Sequence, residues 1–257
     1  NKVSGVVHAN THVNMGQSTN DVLPAAMKLA LYLDLKALIG QVETLKNSFA
    51  AKAKEFAHVV KVSRTCIQDA VPITLGQFYG AAVSFLTRQQ KELEALLPEC
   101  LQIPLGATAV GTGLNAFYGS VEKIMPKLSD IFGSEITQER NLFDGLQFGD
   151  LYLKASGVLT SIATGVSKMG RDLRLMSSGP RSGFQEITIA PVQNGSSIMP
   201  GKVNPALPEL MNVVCYQICG NNVSVTMAVK GGELELNVWE PVIIVNLLGS
   251  CKLLTNT

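Results

Sequence analysis

The sequence predicts a mainly α fold, a bundle of long helices, on three observations. Apolar residues recur at spacings of four and three, two later segments are apolar on nearly every side, and no convincing strand set, repeat or low-complexity tract interrupts them. The first helix is expected from Asn20, with Leu31, Leu35, Leu38, Val42, Leu45 and Phe49 on one stripe and Asp34, Gln41 and Thr44 off it. Asn20 or Asp21 can cap it, and Pro24 suits a first turn, where a missing amide donor costs nothing. A second helix is expected from about Leu75 to Leu97, with Phe85, Leu86, Leu93 and Leu97 facing a core and Pro98 as its stop. A third covers roughly Asn115 to Phe132. Ahead of it, Gly106 to Gly113 is small, uncharged and flexible, suited to close approach to a neighbour or ligand. A fourth helix, Asp150 to Met176, has few charges before Lys168, and a fifth, Pro205 to Val229, carries only Glu209. Helices of that kind belong in the middle of a bundle. A sixth, Glu233 to Leu254, contains Pro241, which predicts a kink or a break. Ser177 to Pro205 is the longest irregular stretch, and such loops in a helical body usually carry function or are disordered.

The 257 residues suit one or two domains. Lys and Arg total 21 against 20 Asp and Glu, so a net charge of +1 supplies no electrostatic reason for a nucleic-acid partner. Charged residues are 16%, against a usual ~25%, and mean hydropathy is +0.22. Many helix faces should therefore be covered by protein, and an oligomer is expected. The five cysteines, Cys66, Cys100, Cys215, Cys219 and Cys251, contain no Cys-x-x-Cys pair and read as thiols in a reducing, cytoplasmic setting. A membrane span is rejected. No charged and apolar leader opens the chain, and the least charged stretch, Leu207 to Val229, is interrupted by Asn212, Gln217, Asn221, Asn222 and Thr226. The start at Asn1 without an initiator Met, and the stop at Thr257 straight after an apolar run, suggest a piece of a longer protein.

The segment Gly195-Ser196-Ser197-Ile198-Met199-Pro200-Gly201-Lys202-Val203-Asn204-Pro205 superficially suggests a phosphate-binding P-loop. It fails that test, because five residues separate Gly195 from Gly201 and Val203 follows Lys202 where a Ser or Thr is needed. It offers two hydroxyls, free backbone amides, a cation and an amide side chain ahead of a helix N-terminus, which is chemistry for binding a carboxylate and stabilising developing negative charge. His8 and His12 lack the zinc-protease pattern and read as non-ligands. Cys215 and Cys219, four apart, read as packing thiols rather than metal ligands. Asp69 and Glu240 lie near the motifs without forming a recognisable carboxylate pair. No metal site and no cofactor is expected.

The 195–205 loop closely resembles the signature Gly-Ser-Ser-x-Met-Pro-x-Lys-x-Asn-Pro of the aspartase/fumarase superfamily. Gln17-Ser18-Thr19-Asn20-Asp21 and Arg64-Thr65-Cys66-Ile67-Gln68-Asp69-Ala70-Val71-Pro72-Ile73-Thr74-Leu75-Gly76-Gln77 match in order, and Ala107 to Asn115 is similar as well. The resemblance spans nearly the whole chain. It implies an elimination from a small dicarboxylate to give fumarate, in which a proton leaves the carbon beside a carboxylate and an aci-carboxylate forms. Ser196 is then the base, acting as an alkoxide, its pKa lowered by amides and positive charge such as Lys202. Lys202 and Asn204 hold one substrate carboxylate, while Ser18, Thr19, Asn20 and Thr65 contact substrate oxygens and the leaving group. Gly195, Ser197, Met199 and Pro200 complete the signature.

Each assignment has a plainer rival. Ser18, Thr19 and Asn20 can cap the first helix, alone or in addition. Glu209 resembles the family's acidic residue near the active site and equally suits a structural ion pair. Cys66 stands where the family usually carries His or Gln, so the contact with a substrate carboxylate there is weaker or absent.

Thr19 in place of a second Ser, Asn237-Val238-Trp239-Glu240-Pro241, 203–209 and 172–180 lean to the branch that removes ammonia from L-aspartate. A class II fumarase and an inactive or structural paralogue stay open. His8-Ala9-Asn10-Thr11 differs from the family's accessory-site pattern, and that site is not carried over. The resemblance further implies that 1–257 is the central helical domain, with the family's N-terminal and C-terminal domains largely absent. In the family four such domains pack into a helical core on tetramerisation, each active site drawing on three subunits.

Overall fold

The computed structural model describes residues 5–257, so the start at Asn1 lies outside it. After a π-helical turn at Ala9–Val13 come α1 (Thr19–Glu55), β1 (Val60–Thr65), β2 (Gln68–Thr74), α2 (Leu75–Cys100), β3 (Gln102–Ile103), α3 (Ser120–Phe132), β4 (Thr137–Gln138), α4 (Leu142–Gln147), α5 (Asp150–Met176), α6 (Ala206–Lys230) and α7 (Glu240–Asn256). The protein is mainly helical, and its long helices α1, α2, α5 and α6 have 37, 26, 27 and 25 residues. No helix among the described residues is long and apolar enough to cross a membrane. The chain forms two compact units. One comprises the described part of Asn1–Lys36 with Ala95–Ser156 and Asn221–Gly249; the other is Ala37–Glu94, Gly157–Gly220 and Ser250–Thr257.

In the first unit, α1 opens at Ser18. Its Oγ accepts the Asn20 N–H at 3.1 Å, while Asp21 Oδ1 accepts the Ser18 N–H at 3.0 Å, a reciprocal cap over S-x-x-D spacing. Pro24 therefore lies in the second turn rather than the first. Ala25, Ile103, Met125 and Ile136 form a buried cluster with Leu29, Leu105, Val121 and Phe132 around it. The short parallel pair β3–β4 runs through this cluster. The third helix starts at Ser120 instead of Asn115, because Asn115 (φ +67°) and Gly119 (φ +70°) adopt left-handed backbone that no helix continues through. The sixth expected helix is likewise shorter: 233–239 is turn, and α7 begins at Glu240, so Pro241 sits in a first turn rather than at a kink.

Glu240 is 8% exposed, and burial pushes its carboxyl up from 4.5 to about 7. Folding thus disfavours its charged form, and stability falls as pH climbs from about 4.5 through about 7. Glu240→Gln is expected to stabilise the protein on the order of 1–3 kcal/mol near pH 8 and far less near pH 4, measured by urea unfolding. Equal effects at both pH values would remove charge burial as the cause.

In the second unit, Leu75, Tyr79 and Met176 are buried among Phe49, Phe56, Phe78, Leu173 and Ile187. The Tyr79 ring stands 6.1 Å from those of Phe49 and Phe56 and 5.3 Å from Phe78. Where α2 runs on into the first unit, Pro98 does not stop it, and the helix reaches Cys100. In the last turn a missing amide forfeits one bond, and the Pro98 carbonyl still accepts the Leu101 N–H at 3.3 Å. The expectation of no strand set is corrected by the antiparallel hairpin β1–β2, in register Val60↔Thr74 to Thr65↔Gln68 with an irregularity between Val62 and Arg64.

Candidate functional site

The signature loop closes on itself. The Lys202 carbonyl accepts the Ser196 N–H at 2.8 Å, and the Met199 carbonyl accepts the Lys202 N–H at 3.1 Å. A Cβ on Gly195 would lie 2.8 Å from the Lys202 oxygen, so only glycine permits this closure. The result aims two amides at one hydroxyl: Ser196 Oγ accepts the N–H groups of Met199 at 3.1 Å and Ile198 at 3.3 Å. Two donors on one oxygen favour its negatively charged form. Ser196 is half-buried, whereas Ser197, Met199, Pro200, Lys202 and Asn204 are exposed, leaving the lysine ammonium and the asparagine amide open to an incoming anion.

Thr65 and Cys66 occupy the tip of the β1–β2 hairpin, both exposed. The turn has two central residues, Cys66 (φ +54°) and Ile67 (φ +63°), in the left-handed conformation of a primed turn that normally takes Asn and Gly. An isoleucine there is strained by roughly 1–2 kcal/mol. Below the tip, Arg64 Nη1 donates to Glu186 Oε1 at 2.6 Å, and the Lys61 ammonium lies 3.3 Å from Glu186 Oε2. The Arg64 guanidinium also stacks 4.4 Å from the centroid of the Phe184 ring. Glu186 thus fastens the hairpin to the irregular 177–205 segment within the same unit. Sequence reasoning missed this clamp, since nothing in the spacing of Arg64 and Glu186 announces it.

Ser18, Thr19 and Asn20 belong to the first unit, whereas Thr65, Cys66, the signature loop and Glu209 belong to the second. Capping by Ser18 is real. Asn20 makes a different contact, its Nδ2 donating to the Ala109 carbonyl at 2.8 Å, which ties the start of α1 to the glycine-rich segment. The sequence marks Asp21 only as a possible cap. It is fully buried, and its Oδ2 accepts the N–H groups of Gly106 and Thr108, each at 3.0 Å.

Glu209 pairs with Arg174 at 3.3 Å. His8 and His12 spend a ring nitrogen each on local amides: His12 Nδ1 accepts the His8 N–H at 2.7 Å, and His8 Nδ1 accepts that of Thr11 at 3.1 Å. Cys215 is buried and Cys219 half-buried, with burial raising the Cys219 thiol, as packing thiols require. Asp69 stands 3.7 Å from Arg64. Among the described residues no group of three or more His, Cys, Asp or Glu side chains could hold a metal ion.

Residues 1–220 match a family model described as lyase. Over 247 residues the chain is 45% identical to an aspartate ammonia-lyase of Helicobacter pylori, covering 96% of this chain and 53% of that protein. It is 44% identical to a class II fumarate hydratase of Myxococcus xanthus, over 97% of this chain and 54% of the relative. A crystal structure of class II fumarase from Schistosoma mansoni superposes with a TM-score of 0.93 at 38% identity, covering 98% of this chain and 56% of the other. The chain spans about half the length of the relatives it matches.

Proposed function

The chain belongs to the aspartase/fumarase family of lyases, and on that premise we propose that the whole protein eliminates ammonia from L-aspartate to give fumarate. The observation that carries the reading is the pair of amides on Ser196 Oγ. A serine hydroxyl is too weakly acidic to serve as a base unaided, and two oriented N–H donors with a nearby lysine stabilise the alkoxide that would take the proton from the carbon beside the carboxylate. Removing that proton leaves the aci-carboxylate, which collapses as the carbon–nitrogen bond breaks and ammonia departs. Lys202 and Asn204 bind a substrate carboxylate; Ser18, Thr19, Asn20 and Thr65 supply hydroxyl and amide contacts to the remaining oxygens and the leaving group. No metal or cofactor is assigned a step.

The reading includes assembly. Residues 1–257 act as the central helical domain of a homotetramer whose sites draw on three subunits, in a reducing, cytoplasmic setting. Its support is the exposure of Leu210, Val213, Tyr216, Val223 and Met227 on α6, a helix with Glu209 and Lys230 as its charges.

The test is ultraviolet detection of fumarate from full-length protein given L-aspartate or L-malate separately. Signal from aspartate is expected. Signal from malate alone would make the protein a fumarase, the second reading that the Myxococcus relative favours, and silence in both would leave an inactive or structural paralogue. For selectivity, the extra methyl of Thr19 restricts its hydroxyl rotamers. Thr19→Ser is expected to narrow the preference for aspartate over malate about tenfold in kcat/KM. Unchanged discrimination would remove Thr19 from that role.

A further inference from the structure

We infer that Asp21 is a positioning residue for the reaction, the group that holds the start of α1 and the glycine-rich segment 106–113 in one fixed relation. The inference rests on the functional reading above for its catalytic meaning and on geometry for the rest. Asp21 is 0% exposed. A carboxylate taken fully out of water ordinarily sits beside a cation, yet Asp21 is met by three backbone N–H groups: Ser18 on Oδ1, Gly106 and Thr108 on Oδ2, all at 3.0 Å.

A helix cap needs the first of these alone. The other two donors lie 85 and 87 residues away along the chain, and they converge because Gly106 (φ +95°) and Thr108 (φ +58°) both take left-handed backbone around Ala107. Thr108 is 5% exposed, and its hydroxyl has no hydrogen-bond partner among the described residues. A non-glycine residue keeps such a conformation only where its surroundings over-determine it. Asp21 supplies that constraint, and Asn20, one residue away, adds the bond to the Ala109 carbonyl at 2.8 Å. The Ala107 carbonyl in turn accepts the N–H groups of Gly111 and Gly113, both at 3.1 Å, so fixing 106–108 fixes the rest of the segment. Ser18, Thr19 and Asn20, proposed to touch substrate, thus inherit their placement from a carboxylate that touches none.

The test uses full-length protein. Asp21→Asn keeps the shape but turns an NH2 donor on at least one of the three amides. Asp21→Glu keeps the ordinary helix cap while displacing the bonds to Gly106 and Thr108. For each variant that retains native circular dichroism, KM is expected to rise about tenfold or more while kcat falls less than about threefold, because the Ser196 turn is untouched. Amide hydrogen exchange over 106–113 should accelerate by about tenfold or more. A purely structural cap would instead lower the amount of active enzyme and leave KM where it was; that result, or unchanged exchange, overturns the inference. If the wild-type protein forms fumarate from neither substrate, the functional reading falls separately. Asp21 is then judged by exchange: lost protection over 106–113 sustains it as the residue that fixes the segment, and retained protection overturns it.

Discussion

Ser196→Ala is expected to lower fumarate formation by about a thousandfold or more while leaving thermal stability within about 0.5 kcal/mol of the parent. The two halves of that expectation have one structural source. Ser196 Oγ accepts two hydrogen bonds from backbone amides of its own turn, and Ile198 and Met199 are exposed, at 85% and 51%. Once the hydroxyl is gone, those amides turn to water, so no buried donor is stranded. The backbone bonds from Ser196 to Lys202 and from Lys202 to Met199 do not involve the side chain and persist. What disappears is the oxygen proposed above to act as the alkoxide base. Steady-state rates beside a thermal unfolding curve make the measurement. A variant that keeps more than about a tenth of the parental kcat would exclude Ser196 as the base.

Gly76→Ala carries the largest expected loss of stability. The N-terminus of α2 docks against the end of α1: the Gly76 N–H donates to the Phe56 carbonyl at 2.9 Å and the Leu75 N–H to the Val59 carbonyl at 2.8 Å. A Cβ at Gly76 would fall 2.5 Å from the Ala53 oxygen, 2.7 Å from Ala57 Cα and 2.9 Å from Ala57 N. All three are backbone atoms, and no flexible side chain can swing aside to relieve them. The two segments must separate, or the hairpin that enters α2 must shift. The expected cost is about 3 kcal/mol or more, which for a chain of this size lowers Tm by roughly 6–12 °C. Gly80→Ala is the control, since a Cβ there meets nothing within 4 Å, and replacing a helical glycine in open space stabilises by up to about 1 kcal/mol. Similar melting curves for the two variants would show that the close approach at Gly76 is not a constraint.

Apolar periodicity made the helices legible, and their ends followed wherever local chemistry was simple. The span Asp150 to Met176 is α5 in full, and Leu31, Leu35, Leu38 and Val42 are buried as the stripe requires. Leu96, rather than Leu97, is the buried member near the end of α2, a rotation of one residue that counting from Pro98 could not detect. The hairpin escaped notice for a physical reason. Its strands are exposed or half-buried along most of their length, so no alternation of burial marks them, and Pro72 argues against a strand unless each strand has a free edge, as in this two-stranded sheet. The signature loop could be read from its residue types, because two serines between Gly195 and Gly201, followed by Lys202 and Asn204, imply anion chemistry. Its decisive feature, two amides meeting on one oxygen, is a property of the folded turn. Asp21 lies between these cases: its bond to Ser18 follows from S-x-x-D spacing, whereas its bonds to Gly106 and Thr108 exist only because distant residues meet.

The tip of the β1–β2 hairpin shows how far conformational optimisation and display of a side chain can diverge. Asn-Gly at positions 66 and 67 would relax the left-handed backbone that Cys66 and Ile67 now occupy under strain. The relaxed hairpin would also lose the thiol and the branched apolar group it holds out into solvent. Any procedure that ranks substitutions at this turn by backbone comfort alone will select against those two side chains, so a thermostabilised descendant of this protein has to be screened for turnover at the same positions where it has been improved.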